Sequence, residues 1–284
     1  MFPEQFAYHR PTSVGEALHL LESYPDAKII AGGHSLLPAM KLRLAAPEAL
    51  IDIGRIPELK GIHVNGGVSI GATTTWYEIL TSDELKSVLP VLSETANVVG
   101  DLQVRSRGTL GGSMAHSDPA ADFTAVMLAL GASVTAASAG GSRSISTDDL
   151  FVDLLTTSLE ANEILTSIEI PASALGAKAA YEKHAHPASG YAVVGVAAVL
   201  TVDAGGTISA AGVAVTGATS KATRLTSVES ALVGQPATAD VIAAAAANAS
   251  DGLEVNGDVY ASAEYRAHLV NVLTKRALTK AAGI

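Results

Sequence analysis

The sequence predicts an α+β chain made of three successive units, and three observations carry that expectation. A strand, a glycine loop, a helix and a second strand follow one another within residues 1–57, in the manner of a βαβ unit. Beyond Gly61 the pattern changes to shorter β-type runs and separate helices. From about Lys178 strand candidates begin afresh, and helices follow them to the end.

The elements come in order. Ser13-Val14-Gly15-Glu16 is a capping-box pattern. It opens a helix with Val14, Ala17, Leu18 and Leu21 on one face, and Pro25 stops it after about Tyr24. Residues 27–31 form a short buried-strand candidate, and 35–44 read as a helix that tolerates Pro38 in its first turn. Ala49-Leu50-Ile51-Asp52-Ile53 is the second strand. The next unit holds a strand over 68–72, a helix near Trp76 to Leu80 and a longer helix from Asp83 to about Val98. A second glycine loop within 105–119 leads into an apolar helix from Ala120 to Leu130. Strands are expected over 133–136, 142–145 and 164–170, the last closed by Pro171. In the third unit, strands over 179–183, 192–202 and 209–215, with the turn Asp203-Ala204-Gly205-Gly206, make a small antiparallel sheet. Helices over 224–233, 237–247 and 264–281 complete it, the last with Tyr265, Leu269, Val272 and Leu273 on one face.

Composition narrows the function classes. A chain of 284 residues can bury the cores of two modest domains, and 48% hydrophobic with 16% charged residues describes a folded protein. A net charge of -10 argues against nucleic acid, whose phosphates need clustered Lys and Arg. Cysteine is absent, which removes disulfides, thiolate metal sites, thiol nucleophiles and iron–sulfur ligation together. Any cluster would belong to another chain. The start Met1-Phe2-Pro3-Glu4-Gln5-Phe6 lacks the regions of a signal peptide, and no stretch has the length and apolarity to span a bilayer. A cytoplasmic protein is expected.

The chemistry concentrates in two glycine pairs, Ala31-Gly32-Gly33-His34-Ser35 and Thr109-Leu110-Gly111-Gly112-Ser113. A glycine pair lets backbone N–H groups converge on an anion without a Cβ in the way, and a neighbouring Ser or Thr hydroxyl adds a donor. The first loop joins a strand to a helix, so the positive end of a helix dipole falls at the same place. One such loop is more often a tight turn; two point to a diphosphate held from both sides. Other residues stay open. His34 is either a ligand contact or a residue of the helix N-terminus. Arg105 and Arg107 approach a cofactor or a partner, or lie on a solvated strand face. Asp118 and Asp122 have a divalent-metal spacing, yet a helix N-terminal position for Asp118 is simpler. His184 and His186 alternate along a strand without further ligands, which disfavours a metal.

The stretches AGGHSLLPAMKLRLAAPEALIDIGRI (residues 31–56), QVRSRGTLGGSMAHSDPAAD (103–122) and YEKHAHPASGYAVVGVAAVL (181–200) strongly resemble the FAD-binding medium subunits of the molybdenum hydroxylases, the xanthine oxidase family. The similarity spans nearly the whole chain. The His of AGGHS, the MKLRLA run and the C-terminal AEYR segment are most similar to the aerobic carbon monoxide dehydrogenase branch. The resemblance implies an α+β fold: a two-subdomain FAD-binding domain of the vanillyl-alcohol-oxidase (PCMH) type over 1–177, divided near 57/58, then an α+β C-terminal domain over 178–284 with a small antiparallel sheet and helices.

It also implies FAD as the cofactor and, as partners, a large molybdenum-cofactor subunit and a small iron–sulfur subunit in a dimer of heterotrimers. Electrons would pass from the clusters through FAD to an external acceptor such as quinone, in the cytoplasm or at the inner face of the membrane. Residue by residue, the resemblance puts Ala31, Gly32, Gly33, His34 and Ser35 at the diphosphate and ribityl chain, flanked by Ile30 and Leu36. Thr109, Gly112 and Ser113 match the second diphosphate loop. Asp122 matches a carboxylate beside the cofactor, Leu165 a backbone contact, Lys183 a residue near the flavin ring and Tyr191 an aromatic against the isoalloxazine. Ser189-Gly190 departs from the branch, where a Gly-Asp pair is expected. On this view a bulky residue at Gly32 or Gly112 removes FAD, and a lysine near the pyrimidine end stabilises the charge of reduced flavin. The alternatives are a medium subunit serving an N-heterocycle or other organic substrate, a self-contained FAD oxidase or dehydrogenase, and a non-redox scaffold. No acid–base pair or nucleophile accompanies the loops, against the oxidase; both loops are intact, against the scaffold.

Overall fold

The computed structural model describes residues 2–284. The first unit contains β1 (Ala7–His9), α1 (Val14–Ser23), β2 (Lys28–Ile30), α2 (Leu36–Lys41) and β3 (Ala49–Asp52). Its strands form a parallel sheet in the order β1-β3-β2, so α1 and α2 are crossovers and the first glycine loop leaves the C-terminal end of β2. The Ser13 hydroxyl accepts from the Glu16 N–H, while the Glu16 carboxylate reaches back to Thr12 rather than to Ser13 itself. The expected buried strand over 27–31 is instead a sheet edge, partly exposed, because β3 rather than β2 takes the centre. α2 has six residues, ending before Arg43, whose φ of 60° has left the helical region.

The second unit holds β4 (Ile62–Val64), β5 (Gly67–Gly71), α3 (Trp76–Thr81), α4 (Asp83–Val88), α5 (Pro90–Val98), α6 (Leu102–Arg105), α7 (Leu110–His116), α8 (Asp122–Ala129), β6 (Ser133–Ser138), β7 (Gly141–Ser146), α9 (Thr147–Leu150), β8 (Phe151–Asp153), β9 (Thr156–Thr157) and β10 (Ile164–Pro171). Five strands form an antiparallel sheet, β4-β5-β10-β6-β7. The single helix expected over 83–98 is two. Pro90 disfavours helical backbone at Leu89, which takes φ −152° and ψ 69°, and a new helix starts at the proline. The glycine loop expected within 105–119 is helical at its centre, since Gly111 and Gly112 lie in the first turn of α7. α8 is buried at all eight positions, which explains its apolar character on every face.

The third unit is a meander of β11 (Lys178–Ala185), β12 (Ala192–Val202), β13 (Ile208–Thr216) and β14 (Thr223–Arg224), followed by α10 (Thr226–Leu232), α11 (Ala239–Ala246) and α12 (Ala263–Ala282). α8 packs on one side of this sheet and α12 on the other, so the first nine residues of β12 are buried. The inward face of α12 is Arg266, Leu269, Val270, Leu273 and Ala277, and the expected Tyr265 is 43% exposed. Arg266 takes the inner position because its guanidinium binds the carbonyls of Val193 and Gly217 and the Asp258 carboxylate. No helix of the described residues is long and apolar enough to cross a membrane.

Candidate functional site

A cleft of about 650 Å³ opens where the three units meet, within the size range of small-molecule sites. Its walls include Ile30, Ala31, Gly32, Gly33, His34, Ser35 and Leu36 from the first unit, and Thr109, Gly112, Ser113, Asp122 and Leu165 from the second. Tyr191 closes it from the β11–β12 hairpin. Of the expected site residues, only Lys183 is absent from the wall.

The first loop keeps its backbone donors free. Among the described residues no acceptor meets the backbone N–H groups of Gly32, Gly33, His34 or Ser35. Gly33 supplies the reversal with φ +77°, and the Ser35 hydroxyl makes no capping bond to α2. Four uncommitted donors bordering one cleft suit an oxygen-rich anion. With only six residues in α2, the N–H groups rather than a macrodipole carry this capacity.

The second segment differs from the expected cradle. The N–H of Leu110 donates to Thr74 O, that of Gly111 to Ala72 O, and that of Ser113 to Thr109 O. The Gly112 N–H donates to Thr109 Oγ1. All four first-turn donors of α7 are therefore spent on the protein, leaving the Ser113 hydroxyl and the His116 ring as its polar groups at the cleft. Gly111 serves packing: a Cβ on it would lie 2.5 Å from Ala72 Cβ.

Behind the wall is a buried ionic cluster. Lys183 Nζ lies 2.9 Å from Asp122 Oδ1, 3.1 Å from Oδ2, and donates to Val98 O at 3.0 Å. Lys183 thus faces Asp122 and a helix-end carbonyl, and reaches the cleft only through Asp122. A 61-residue separation hides that pairing from the sequence. Tyr181 donates its hydroxyl to Asp122 Oδ1 at 2.6 Å. Burial pushes the Asp122 carboxyl up, opposed by Lys183 and by the Tyr181 hydrogen bond, and burial raises the Tyr181 phenol well above its ordinary range. Tyr191 is also raised, by partial burial and by the charges of Asp118 and Asp122.

The remaining candidates resolve individually. His34 is exposed at the cleft and Ser35 holds the N-cap position. Arg105 lies on α6, not on a strand, and its guanidinium ties the carbonyls of Asn97, Val99 and Gly100. Asp118 sits in the turn before α8, accepting from the Ala120 N–H, while Asp122 occupies the helix N-terminus expected for Asp118. His186 Nδ1 accepts from the N–H groups of Ala188 and Ser189, and His184 packs edge-on to Tyr265. Among the described residues no group of His, Asp and Glu is arranged to hold a metal.

Several wall residues escaped the sequence reading. Trp76 stacks on Phe123 with ring centroids 4.4 Å apart, and both border the cleft. The Thr75 and Glu78 capping box that starts its helix was a readable signal. Glu163, held by Arg143 through two hydrogen bonds, and Leu155, with φ 52°, also border the cleft. Neither carries a local sequence signal.

The chain is similar to known proteins along nearly its whole length. Residues 4–173 match a family described as the FAD binding domain in molybdopterin dehydrogenase, and residues 179–281 match the CO dehydrogenase flavoprotein C-terminal domain. The carbon monoxide dehydrogenase medium chain of Hydrogenophaga pseudoflava is 41% identical over 99% of this chain and 98% of its own. The 6-hydroxypseudooxynicotine dehydrogenase complex subunit alpha of Paenarthrobacter nicotinovorans is 38% identical over 99% and 96%. A solved structure of carbon monoxide dehydrogenase from Hydrogenophaga pseudoflava, lacking the Mo-pyranopterin moiety, superposes with a TM-score of 0.95 at 42% identity, over 99% of this chain and 98% of that one.

Proposed function

The chain belongs to the family of FAD-binding subunits of the molybdopterin dehydrogenases, and from that premise we propose that it is the electron-transferring medium subunit of an aerobic carbon monoxide dehydrogenase. The observation that carries the cofactor's placement is the set of four unpartnered N–H donors at residues 32–35 on the wall of the cleft. They would hold the diphosphate, with Ser35 and Ser113 adding hydroxyls and Ile30, Ala31, Leu36 and Leu165 lining its path. Thr109 and Gly112 would shape the opposite wall through the cap that joins them. Tyr191 would cover one face of the ring, which leaves less room for a hydride donor and suits a flavin filled by electron transfer. Asp122 would stand beside the ring with Lys183 neutralising it from behind.

FAD, when bound, stores two electrons between one-electron partners. The chain's own part is to bind it through backbone N–H groups and hydroxyls, orient it and shield it from water. Because the chain has no cysteine, iron–sulfur clusters would sit on a small partner subunit and the molybdenum cofactor on a large one. A dimer of such heterotrimers in the cytoplasm, at the inner face of the membrane through the complex, with quinone as acceptor completes the reading.

A purified complex with a flavin spectrum, bleached by carbon monoxide only when the partner subunits are present, is the expected result. Turnover of an organic substrate by the isolated chain would overturn it in favour of a self-contained dehydrogenase. A relative named for 6-hydroxypseudooxynicotine stands only three percentage points of identity lower, at 38% against 41%. An organic substrate for the whole complex is therefore the second reading, and the co-purifying large subunit decides between them.

A further inference from the structure

Tyr181 does not border the cleft, yet it is joined to it through Asp122. Tyr181 and Lys183 alternate along β11, so both side chains leave one face of the strand toward α8. Opposite Lys183 on β12 is Gly195, where a Cβ would fall 2.1 Å from the Tyr181 hydroxyl. Glycine there opens the slot that lets the phenol reach the carboxylate. Asp122 is 7% exposed, and its exposed edge is on the cleft wall.

The cluster is electrically balanced: one carboxylate, one ammonium and a neutral phenol. Added negative charge in the cleft would fall beside Asp122, a carboxyl already disfavoured as an anion by its burial. We propose that Asp122 is the proton acceptor of the cleft, taking up one solvent proton when the bound cofactor is reduced, and that Tyr181 is the positioning residue that sets the pH range of this uptake. The inference rests on the FAD reading above. The electrons come from the partner subunits of that reading; one O–H bond forms on an Asp122 carboxylate oxygen, and no bond of the chain breaks. The Lys183 ammonium, until then neutralised by Asp122, is left to balance the added charge.

Other ionisable groups around α8 are placed less well for this task. From the cleft, Asp118 and Tyr191 face Asp122, and α7 contributes His116; all three are more exposed. On α5, Glu94 pairs with Lys280, as does Glu182 of β11. Arg224 of β14 meets Asp148 of α9 and the Leu128 carbonyl, at the far end of α8, with Asp149 of α9 capped by Ser146. β12 and β13 bring no ionisable side chain.

The test is the midpoint potential of FAD in the purified complex, followed spectroelectrochemically across pH. The wild type is expected to take up one more proton per two electrons than Asp122→Asn. That difference reads as about 30 mV per tenfold change in proton activity for a two-electron couple. Tyr181→Phe keeps the packing but removes one donor to the carboxylate, so the steep region should move to higher pH at unchanged FAD content. Equal slopes in wild type and Asp122→Asn would overturn the proposal. If Asp122→Asn fails to retain FAD, an unmoved curve in Tyr181→Phe overturns it instead. Failure of the wild type to hold FAD, or of its partners to reduce it, would count against the proposed function.

Discussion

Gly32 is pressed against the backbone of Arg107: a Cβ built on the glycine would lie 2.2 Å from the Arg107 carbonyl oxygen and 2.9 Å from Gly108 Cα. The first glycine thus joins two units of the fold, while its N–H stays free on the cleft side. Gly32→Ala must push the cradle away from residues 107–108, a backbone shift costing about 1–3 kcal/mol. Gly33→Ala has a different cause, since its φ of +77° is strained for alanine by about 1–2 kcal/mol. Both variants should melt at lower temperature and carry less FAD per protein chain. Full FAD content with an unchanged melting temperature in Gly32→Ala would refute the close contact.

The second glycine pair predicts an unequal outcome. A Cβ on Gly111 meets Ala72 Cβ at 2.5 Å and Ala72 backbone atoms at 2.7 Å, whereas a Cβ on Gly112 meets only the Thr109 side chain, with Oγ1 at 2.7 Å. Backbone cannot yield as a hydroxyl rotor can. Gly111→Ala should therefore destabilise more than Gly112→Ala, and Thr109→Val should cost about 1 kcal/mol through the lost cap. Urea midpoints of the three variants give the order directly.

Local signals made the parallel unit readable: β2, the glycine loop, α2 and β3 all fall close to their expected places. The meander of the third unit was equally visible, because its long apolar runs are separated by Asp203-Ala204-Gly205-Gly206. What escaped the sequence depends on partners far along the chain. Nothing local shows that the first-turn donors of α7 are consumed by Thr74 and Ala72, or that Lys183 is turned onto Asp122. Three-residue β1 and the β8–β9 hairpin are too short for a periodic signal, and only the resemblance pointed to Tyr191.

Arg266 predicts a purely structural defect. Its guanidinium serves the Val193 and Gly217 carbonyls at the ends of two strands, and Arg266→Met would leave both without that donor. A buried unsatisfied acceptor costs about 1–3 kcal/mol, so a loss on the order of 3 kcal/mol is expected. Lysine should rescue little, having no planar fork to span two acceptors. Denaturant unfolding measures the loss; wild-type stability in Arg266→Met would contradict the geometry.

Glu163 makes the cleft rim acid-sensitive. Hydrogen bonds from the Arg143 guanidinium hold its carboxyl below the ordinary value of 4.5, so its contribution is complete above that pH and is lost as pH falls through the folded value. Asp122 has the opposite sign. Its folded value is raised above 3.8, so its contribution exists at low pH and is lost as pH rises from there. Comparing Glu163→Gln with wild type separates the two: the variant should melt lower at neutral pH and show a shallower acid limb. Parallel melting curves from neutral pH down past pH 4.5 would remove Glu163 from the account.

Tyr191 offers the sharpest separation of ligand binding from stability. It is 46% exposed at the cleft, and the hairpin carrying it is fixed by backbone bonds, His186 N–H to Tyr191 O and Gly190 N–H to His186 O, that do not involve its ring. Removing the ring should change folding by no more than about 0.5 kcal/mol, the usual range for surface positions. If the ring covers the flavin, Tyr191→Ala loses an aromatic contact of about 0.5–1.5 kcal/mol beyond the buried area. FAD should then bind roughly tenfold more weakly, since 1.4 kcal/mol is a factor of ten. Fluorescence should rise as well, because no aromatic face remains to quench it. Tyr191→Phe retains the face and should bind as wild type. Titration of the apoprotein with FAD, read by fluorescence, would give equal dissociation constants for all three proteins if Tyr191 only packs the hairpin.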